Sequence, residues 1–287
     1  MRPLYAWLSR KEVFQAFWFG GPLPPLAWLC ISSFVRFGHR VHLYSYDQLS
    51  LPSGVKGRPA DSVLPRESVR FVHGSYSTFS NVFRYALLEK AGGWWIDTDV
   101  LCLGNPIPVC NIAFAEEQSG RFNTALMKFP KGHPLVKDLL AQAQNGDLDQ
   151  IAWGDLGGTL LTTVINKHRV GSLAQPKQTF YPLHWLESYK VLFPEFTCEI
   201  YDRISRQPFL HFWNYMYHFM GYDSSKFRPL GGSFLDVEYS KWDIYKQFHL
   251  SSPNERELRL STNAFLALDW VTEHADVHQL QVPLLNL

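Results

Sequence analysis

Short apolar runs separated by turn residues organise the first part of the chain. Residues 13–19 predict a buried strand that ends at the turn Gly20-Gly21-Pro22. Residues 24–37 predict a helix with proline in its first turn and Gly38 after its end. Residues 41–46 predict a second strand, because their composition is typical of strands. A strand, a helix and a strand at this spacing form the opening of a βαβ unit.

The pattern continues less regularly after the second strand. Residues 50–68 are polar and interrupted by proline and glycine, so we expect a loop there. Residues 80–91 predict a helix, since apolar residues recur at helical spacing and Gly92-Gly93 ends it. The apolar run 94–96 predicts a short strand that leads directly into Asp97-Thr98-Asp99.

Further elements are predicted up to about residue 167, after which the pattern breaks up. Residues 122–129 predict a strand, and residues 133–144 and 156–167 predict helices. Beyond residue 175 the pattern predicts loops that are rich in aromatic residues and interrupted by prolines. No clean linker interrupts it, so we predict a single α/β domain over residues 1–287 with an irregular C-terminal lobe.

Composition excludes several classes of protein. The chain has 287 residues, of which 46% are hydrophobic, and a net charge of +1, which argues against general disorder and against a strongly basic nucleic-acid binder. The aromatic content of 15% suits a core, but Trp and Tyr also stack on sugars and nucleobases.

Cysteine usage and the N-terminal pattern bear on the compartment. Four scattered cysteines without a Cys-x-x-Cys pair favour four buried thiols in a reducing compartment, with a Cys102–Cys110 disulfide as the alternative. Residues 1–10 do not resemble a signal peptide, and three prolines within residues 17–35 argue against a spanning helix. We expect a cytoplasmic protein, and the mixed apolar and basic N-terminus is a weak indication of peripheral contact at the inner membrane face.

Asp97 and Asp99 carry the strongest chemical signal. Two carboxylates two residues apart at a strand end lie on the same side of the backbone, at the edge where open α/β sheets bind ligands. Like charges held together call for a cation, and oxygen ligands suit Mg²⁺ or Mn²⁺. The alternative is an ordinary turn, in which Asp-x-Asp is common. Taken alone, the three residues favour the turn.

The surroundings of this motif change that balance. It follows a helix that carries Arg84, a Gly-Gly pair and an aromatic strand, and the segments 17–24, 38–47 and 122–125 accompany it in order. The arrangement resembles the DXD-motif glycosyltransferases of the GT-A fold. Within that fold it is similar to the group that holds bacterial capsular-polysaccharide transferases, α-1,4-galactosyltransferase-like enzymes, the initiating yeast α-1,6-mannosyltransferase and the glucosylating clostridial toxins. The resemblance covers roughly the first half of the chain, and its combination of motifs is specific for the family but not for the substrate.

The resemblance implies a fold and an activity. It implies a GT-A, Rossmann-like mixed sheet flanked by helices, with a nucleotide-sugar-binding half at residues 1–150 and an acceptor-side half at residues 151–287. The implied activity is metal-dependent, retaining transfer of a hexose from a nucleotide-sugar, with a UDP-sugar favoured over GDP-mannose. The implied acceptor is a carbohydrate or a lipid-linked glycan, in bacterial surface polysaccharide synthesis.

The resemblance also implies roles for individual residues. Asp99 would ligate the Mn²⁺ or Mg²⁺ that bridges the donor diphosphate, and Asp97 would bind the ribose or sugar and reach the metal. Arg84 would contact sugar hydroxyls or the diphosphate, and Trp18 would lie by the nucleotide base. Asn81 stands where the family usually has Asp, and the loss of that negative charge indicates either an altered donor preference or an inactive enzyme.

The remaining candidates each have a plain alternative. His211, in the later His-x-Trp-Asn element, is a third metal ligand or a half-buried histidine bonded to backbone. Asn123 faces the transferred sugar or belongs to a strand-end turn. Asp155 holds an acceptor hydroxyl or, as the favoured alternative, caps a helix. Glu116 and Glu117 follow a strand and either approach the site or, as is commoner for paired glutamates, lie on the surface. Four aromatic residues are candidates for an acceptor platform, with burial in the core as the alternative: Tyr181, Trp185, Trp213 and Tyr215.

Two other functions compete with the transferase. A haloacid-dehalogenase-type phosphatase also uses Asp-x-Asp after an apolar strand, but Leu101 stands where Thr or Val is expected. A non-catalytic protein that binds a sugar-nucleotide would account for Asn81 and the aromatic residues. For the transferase itself no nucleophile stands out in the sequence, so we expect attack on the same face of the sugar.

Overall fold

The computed structural model describes residues 11–72, 75–145, 154–268 and 285. The strands are β1 Val13–Phe17, β2 Arg40–Ser45, β3 Val55–Pro59, β4 Gly93–Ile96, β5 Val100–Cys102, β6 Ala113–Gln118, β7 Arg121–Phe129 and β8 Phe209–His211. The α-helices are α1 Pro25–Arg36, α2 Ser77–Ala91, α3 Pro134–Asn145, α4 Leu160–His168, α5 Lys177–Phe180, α6 Thr197–Ile204, α7 Met216–Phe219, α8 Phe234–Lys241, α9 Ile244–Gln247 and α10 Glu255–Leu266.

A six-stranded mixed sheet forms the centre of the molecule, in the order β3-β2-β1-β4-β7-β6. The first four strands in this order are parallel, whereas β7 is antiparallel to both β4 and β6. As a result β1, β4 and β6 all end at the same edge of the sheet, and β7 begins there. Strands β5 and β8 form a separate antiparallel pair.

Helices cover both faces of this sheet, and neighbouring tryptophans show how the two cores divide. Trp94 packs into the core that contains α1 and much of the C-terminal lobe. Trp95 points to the opposite face, into the core that contains residues of α2, α3 and α4. Successive side chains of a strand alternate between faces, so one dipeptide contributes to both cores.

The predicted α/β fold class is confirmed: the protein has a mixed central sheet flanked by helices, followed by an irregular C-terminal lobe. The helix predicted at residues 24–37 is α1, with Pro25 at its first position. The helix predicted at residues 156–167 begins four residues later, because a π-helical turn, Asp155–Thr159, precedes α4. The division at residue 150 stays a prediction.

The prediction of a loop at residues 50–68 is wrong in part. Strand β3 lies within it and pairs in parallel with β2 at the edge of the sheet. Its residues are mostly exposed, so the segment has no apolar alternation to reveal it, and Pro59 occupies its last position. Pairing with β2, rather than local propensity, makes this segment a strand.

The four cysteines are all free, so the Cys102–Cys110 disulfide is not formed. Cys30 and Cys102 are buried as expected, but Cys110 is half-buried and Cys198 is exposed, which corrects the expectation of four buried thiols. Among the described residues no helix combines the length and the apolar character needed to cross a bilayer.

Candidate functional site

A cleft of about 1080 Å³ runs along the sheet edge where β1, β4 and β6 end. This is the edge at which open α/β sheets bind ligands. Eight residues that the sequence nominated for donor, metal or acceptor binding line this cleft: Trp18, Asn81, Arg84, Asp97, Asp99, Asn123, Asp155 and His211. Residues separated by almost two hundred positions in sequence therefore share one cavity.

Two carboxylates and an imidazole lie at the middle of the cleft. Asp97, Asp99 and His211 each offer one ligand atom, and these atoms lie within 4.8 Å of one another. Nε2 of His211 is 3.3 Å from Oδ1 of Asp99. Oxygen ligands with one imidazole suit Mn²⁺ well and Mg²⁺ less well.

The β5–β8 pair brings His211 to the carboxylates. Strand β5 follows Asp99 directly, and its first residue pairs with His211. The N–H of Phe212 donates to the backbone oxygen of Asp99 at 3.0 Å. The next residue, Trp213, has a φ of 56°, which is uncommon for a bulky side chain. After this turn the N–H of Asn214 donates to Oδ2 of Asp99 at 2.9 Å.

The surroundings of Asp99 keep it ionised. Burial alone raises the pKa of its carboxyl group, but the adjacent His211 ring and the N–H of Asn214 outweigh burial, and the pKa lies below its ordinary value of 3.8. Nδ1 of His211 is buried and has no hydrogen-bond partner among the described residues. Oδ1 of Asp97 accepts hydrogen bonds from Arg84 and Trp95, and the second carboxylate oxygen can bind another ligand. These residues therefore fit a divalent metal ion.

Arg84 on α2 connects the first carboxylate to the cleft wall. Its side chain is 5% exposed, and Nη2 donates to Oδ1 of Asp97 at 2.5 Å. Nη1 donates to Oδ1 of Asn81 at 2.6 Å and also to the hydroxyl of Thr124. The guanidinium lies 5.0 Å from the ring of Trp95, whose indole N–H donates to Oδ1 of Asp97 at 2.7 Å. A buried guanidinium needs such partners, and they hold it against Asp97.

Asn81 faces Arg84 with its oxygen. An aspartate at this position would place the guanidinium between two carboxylates, whereas asparagine leaves Asp97 as its charged partner. A Cβ added to Gly157 would lie 3.7 Å from the Asn81 amide, so the π-helical turn approaches this side chain closely. Asn81 thus lies inside the cleft and is connected through Arg84 to Asp97, one of the three candidate metal ligands.

Aromatic rings line the β1 end of the cleft. Trp18 follows β1 and its indole N–H donates to the backbone oxygen of Gly21 at 2.8 Å. The ring of Tyr76 lies 4.8 Å from that of Phe19 and 4.8 Å from that of Phe71, which is 62% exposed. These flat apolar faces can stack on a nucleobase or a sugar.

Polar side chains line the opposite end, at β6 and β7. Nδ2 of Asn123 donates to Oε2 of Glu117 at 2.6 Å. Oδ1 of Asn123 accepts from the N–H of Ala125 at 2.7 Å and from the hydroxyl of Tyr181 at 3.2 Å. Nε of Arg121 lies 2.7 Å from Oε1 of Glu117. Asn123 is therefore part of a hydrogen-bonded network in strand β7 rather than a strand-end turn.

Glu117 approaches the site, so the alternative that it is a surface glutamate is wrong. It lies within β6, is 8% exposed, and lines the cleft, whereas Glu116 is half-buried and does not. Burial raises the pKa of Glu117 above its ordinary value, against the opposing effects of Asn123 and Arg121. The sequence favoured the surface for both glutamates because adjacent glutamates after an apolar run are commonly solvated.

Two further expectations need correction. Asp155 does not cap a helix: Gly154 precedes the π-helical turn, and neither that turn nor α4 has a side-chain cap. Tyr181 cannot belong to an acceptor platform, because it is 1% exposed and its ring packs 5.8 Å from His211 and 5.5 Å from Trp213. The other three aromatic residues of that set do line the cleft: Trp185, Trp213 and Tyr215.

Comparisons with known proteins point to glycosyltransferases. No family model matches the chain. It is 28% identical over 150 residues to the lactosylceramide 4-alpha-galactosyltransferase of Pongo pygmaeus, which covers 47% of this chain and 66% of that protein. The same protein of Homo sapiens is 28% identical, over 47% of this chain and 41% of that protein. The same protein of Mus musculus is 29% identical, over 47% of this chain and 40% of that protein. The chain therefore spans less than two thirds of the length of these curated relatives.

Solved structures overlap with the chain only in part. A structure described as PaToxG glycosyltransferase matches with a TM-score of 0.41 and 12% identity, over 55% of this chain and 68% of its own. A transferase with two cysteine-to-serine substitutions matches with a TM-score of 0.33 and 13% identity, over 54% of this chain and 85% of its own. The resemblance to DXD-motif glycosyltransferases that the sequence indicates is confirmed by the galactosyltransferase matches.

Proposed function

We propose that this protein is a metal-dependent, retaining glycosyltransferase that moves a hexose from a nucleotide-sugar to a glycan or glycolipid acceptor. The observation that carries the proposal is the order of groups along the cleft. Aromatic rings lie beside β1, the Asp97–Asp99–His211 cluster follows β4, and the polar network lies at β6 and β7. A base, a diphosphate and a sugar follow one another in the same order in a nucleotide-sugar.

The dimensions of the sheet support this proposal. Neighbouring strands are about 4.8 Å apart, so the three steps from β1 through β4 and β7 to β6 span about 14 Å. An extended nucleotide-sugar with its diphosphate near β4 would reach the aromatic rings on one side and the polar network on the other.

The metal would be held by Asp97, Asp99 and His211. When bound, the ion would act as a Lewis acid that neutralises charge on the departing nucleoside diphosphate. Asp99 stays ionised because of its neighbours, and Arg84 holds the carboxylate of Asp97 in place from the other side. We favour Mn²⁺ over Mg²⁺ because one of the three ligands is an imidazole.

We propose that the acceptor hydroxyl attacks from the face that the diphosphate leaves. The sequence suggested this because no nucleophile was evident, but the cleft does contain a further carboxylate, Glu117. Mass spectrometry of the protein incubated with donor therefore decides the point. A glycosyl group on an aspartate or glutamate of the cleft would contradict same-face attack.

A non-catalytic sugar-nucleotide-binding protein is the second candidate. Asn81 favours it, because the amide lies beside Arg84 where the family usually has a carboxylate. Such a protein would bind donor tightly and neither transfer nor hydrolyse it. The imidazole beside the two carboxylates and the galactosyltransferase matches favour the transferase over the phosphatase.

We further propose a UDP-sugar as donor, with GDP-mannose as the alternative, and a role in bacterial surface polysaccharide synthesis at the cytoplasmic face of the membrane. The curated relatives are named as α-galactosyltransferases acting on lactosylceramide, which supports a hexose donor and a lipid-linked or glycan acceptor.

Calorimetric titration with UDP tests the binding part of this function. We expect UDP to bind in Mn²⁺ and to lose most of its affinity in chelator and in Asp99→Asn. Asp202→Asn is the matched control, since Asp202 is exposed and does not line the cleft. Equal binding of UDP with and without the metal would contradict the proposed site.

A further inference from the structure

We propose that Glu117 binds hydroxyl groups of the transferred sugar and determines which sugar the cleft accepts. This inference rests on the proposed glycosyl transfer. It assigns a role to a residue that lies outside the metal-binding cluster.

The order of the strands places Glu117 on the sugar side. The diphosphate belongs at Asp97 and Asp99, which follow β4. Strand β1, with Trp18 beyond its end, lies on one side of β4, and β7 and β6 lie on the other. If the base stacks on the aromatic rings at β1, the sugar must extend toward the end of β6, where Glu117 lies.

A break in strand register lies at Glu117, which lines the cleft. The pairing of β6 with β7 shifts between Glu116 and Gln118, which indicates a bulge at Glu117. Glu117 is buried, while both of its neighbours are only half-buried. Bulges often occur beside binding sites, where they redirect a side chain.

The carboxylate of Glu117 is held in place but not saturated. Oε2 accepts from Asn123, and Oε1 pairs with Arg121. A carboxylate offers about four lone-pair positions, so two contacts leave room for hydroxyl donors from a ligand. Burying a carboxylate is costly, and a cleft wall is a place where a ligand can repay that cost with charge-assisted hydrogen bonds.

The same network connects Glu117 to the metal-binding cluster. Asn123, which donates to Glu117, accepts from the N–H of Ala125. The carbonyl oxygen of Ala125 in turn accepts from the N–H of Asp97 at 2.8 Å. The position of Glu117 is therefore fixed relative to the site of the diphosphate, as selection between sugars requires.

The test compares the binding of nucleotides with the binding of nucleotide-sugars in Mn²⁺. The probes are UDP, GDP, UDP-glucose, UDP-galactose and GDP-mannose. Glu117→Gln keeps the shape and removes the charge, and Glu116→Gln is the matched control outside the cleft. We expect Glu117→Gln to bind free nucleotide within twofold of the wild type and the preferred nucleotide-sugar about 10- to 100-fold more weakly. Glu116→Gln should bind both as the wild type does.

The variant Glu117→Asp provides a second test, because a purely structural role of Glu117 would not change the ranking of the sugars. It keeps the charge but withdraws it by one methylene, so we expect partial recovery of binding and a changed ranking of the sugars. Thermal unfolding of each variant checks that the fold is intact.

Several results would overturn the inference, and they separate it from the proposed function. Unchanged nucleotide-sugar binding in Glu117→Gln would overturn the role of Glu117 and leave the transferase standing. Equal weakening of free nucleotide and nucleotide-sugar would show a structural role instead. A wild-type protein in which the sugar adds no affinity or selectivity would also overturn the inference. A wild-type protein that binds no probe would overturn the proposed function and this inference together.

Discussion

Replacing Arg84 by methionine tests how the carboxylate of Asp97 is stabilised. The substitution keeps an unbranched side chain on α2 but removes the positive charge. Asp97 then loses its ion pair, while Asn81 and Thr124 lose the donor that they share. Asp97 keeps one hydrogen bond, from the indole of Trp95.

The expected loss of stability follows from these contacts. Removing one partner of a fully buried ion pair costs about 3–5 kcal/mol. The side chain of Asp97 is 29% exposed, so water can solvate part of the charge that is left, and we expect a loss of about 2–4 kcal/mol for Arg84→Met. Bound Mn²⁺ should recover part of this loss, since it replaces the missing positive charge beside Asp97. A ligand at a hundred times its dissociation constant adds about 2.7 kcal/mol.

Urea unfolding followed by tryptophan fluorescence, in chelator and in excess Mn²⁺, measures both quantities. We expect Mn²⁺ to stabilise Arg84→Met by more than it stabilises the wild type. Arg206→Met is the control, because Arg206 is exposed and does not line the cleft. A loss below about 0.5 kcal/mol, which is typical of surface substitutions, would refute the reasoning. So would equal stabilisation of both proteins by Mn²⁺.

Three further predictions concern other parts of the fold. Gly92→Ala should lower the free energy of unfolding in urea by about 3 kcal/mol, because φ is +65° and a Cβ would lie 2.4 Å from a backbone nitrogen. The control Gly120→Ala should lower it by only about 1 kcal/mol, because φ is +71° but a Cβ there would have nothing within 4 Å. Hydrogen bonds from α4 and α3 side chains lower the pKa of Asp138 from 3.8 to about 2. Asp138→Asn should therefore lower the melting temperature at pH 7. The difference in melting temperature between variant and wild type should disappear as the pH falls from about 4 through 2. Tyr181→Phe removes a hydroxyl that donates to Asn123, and we expect turnover to fall about 3- to 10-fold while UDP binding is unchanged.

The sequence predicted the parts of the site that are close together along the chain. Asp97 and Asp99 follow a short apolar strand, and the helix that carries Arg84 ends at a glycine pair, so local patterns were sufficient. These residues were placed correctly in one cleft. Their roles stay predictions.

Contacts over long sequence separations were harder to predict. His211 meets Asp99 only because β8 pairs with β5, and each of these strands has three residues with no distinctive periodicity. Glu117 stands at a bulge, and a bulge depends on the pairing of β6 with β7, which the local sequence does not reveal. Strand β3 was missed for a similar reason, since pairing at the sheet edge decides its structure.

The most direct test of the proposed function is the release of nucleotide from donors. The protein is incubated with a panel of UDP- and GDP-sugars in Mn²⁺, with and without glycan acceptors, and free nucleotide is measured over time. Chelator, Asp99→Ala and the matched variant Asp202→Ala serve as controls. We predict release from one preferred donor that is lost in chelator and in Asp99→Ala but kept in Asp202→Ala. No release from any donor that the protein binds, or release that survives both chelator and Asp99→Ala, would contradict the proposed function.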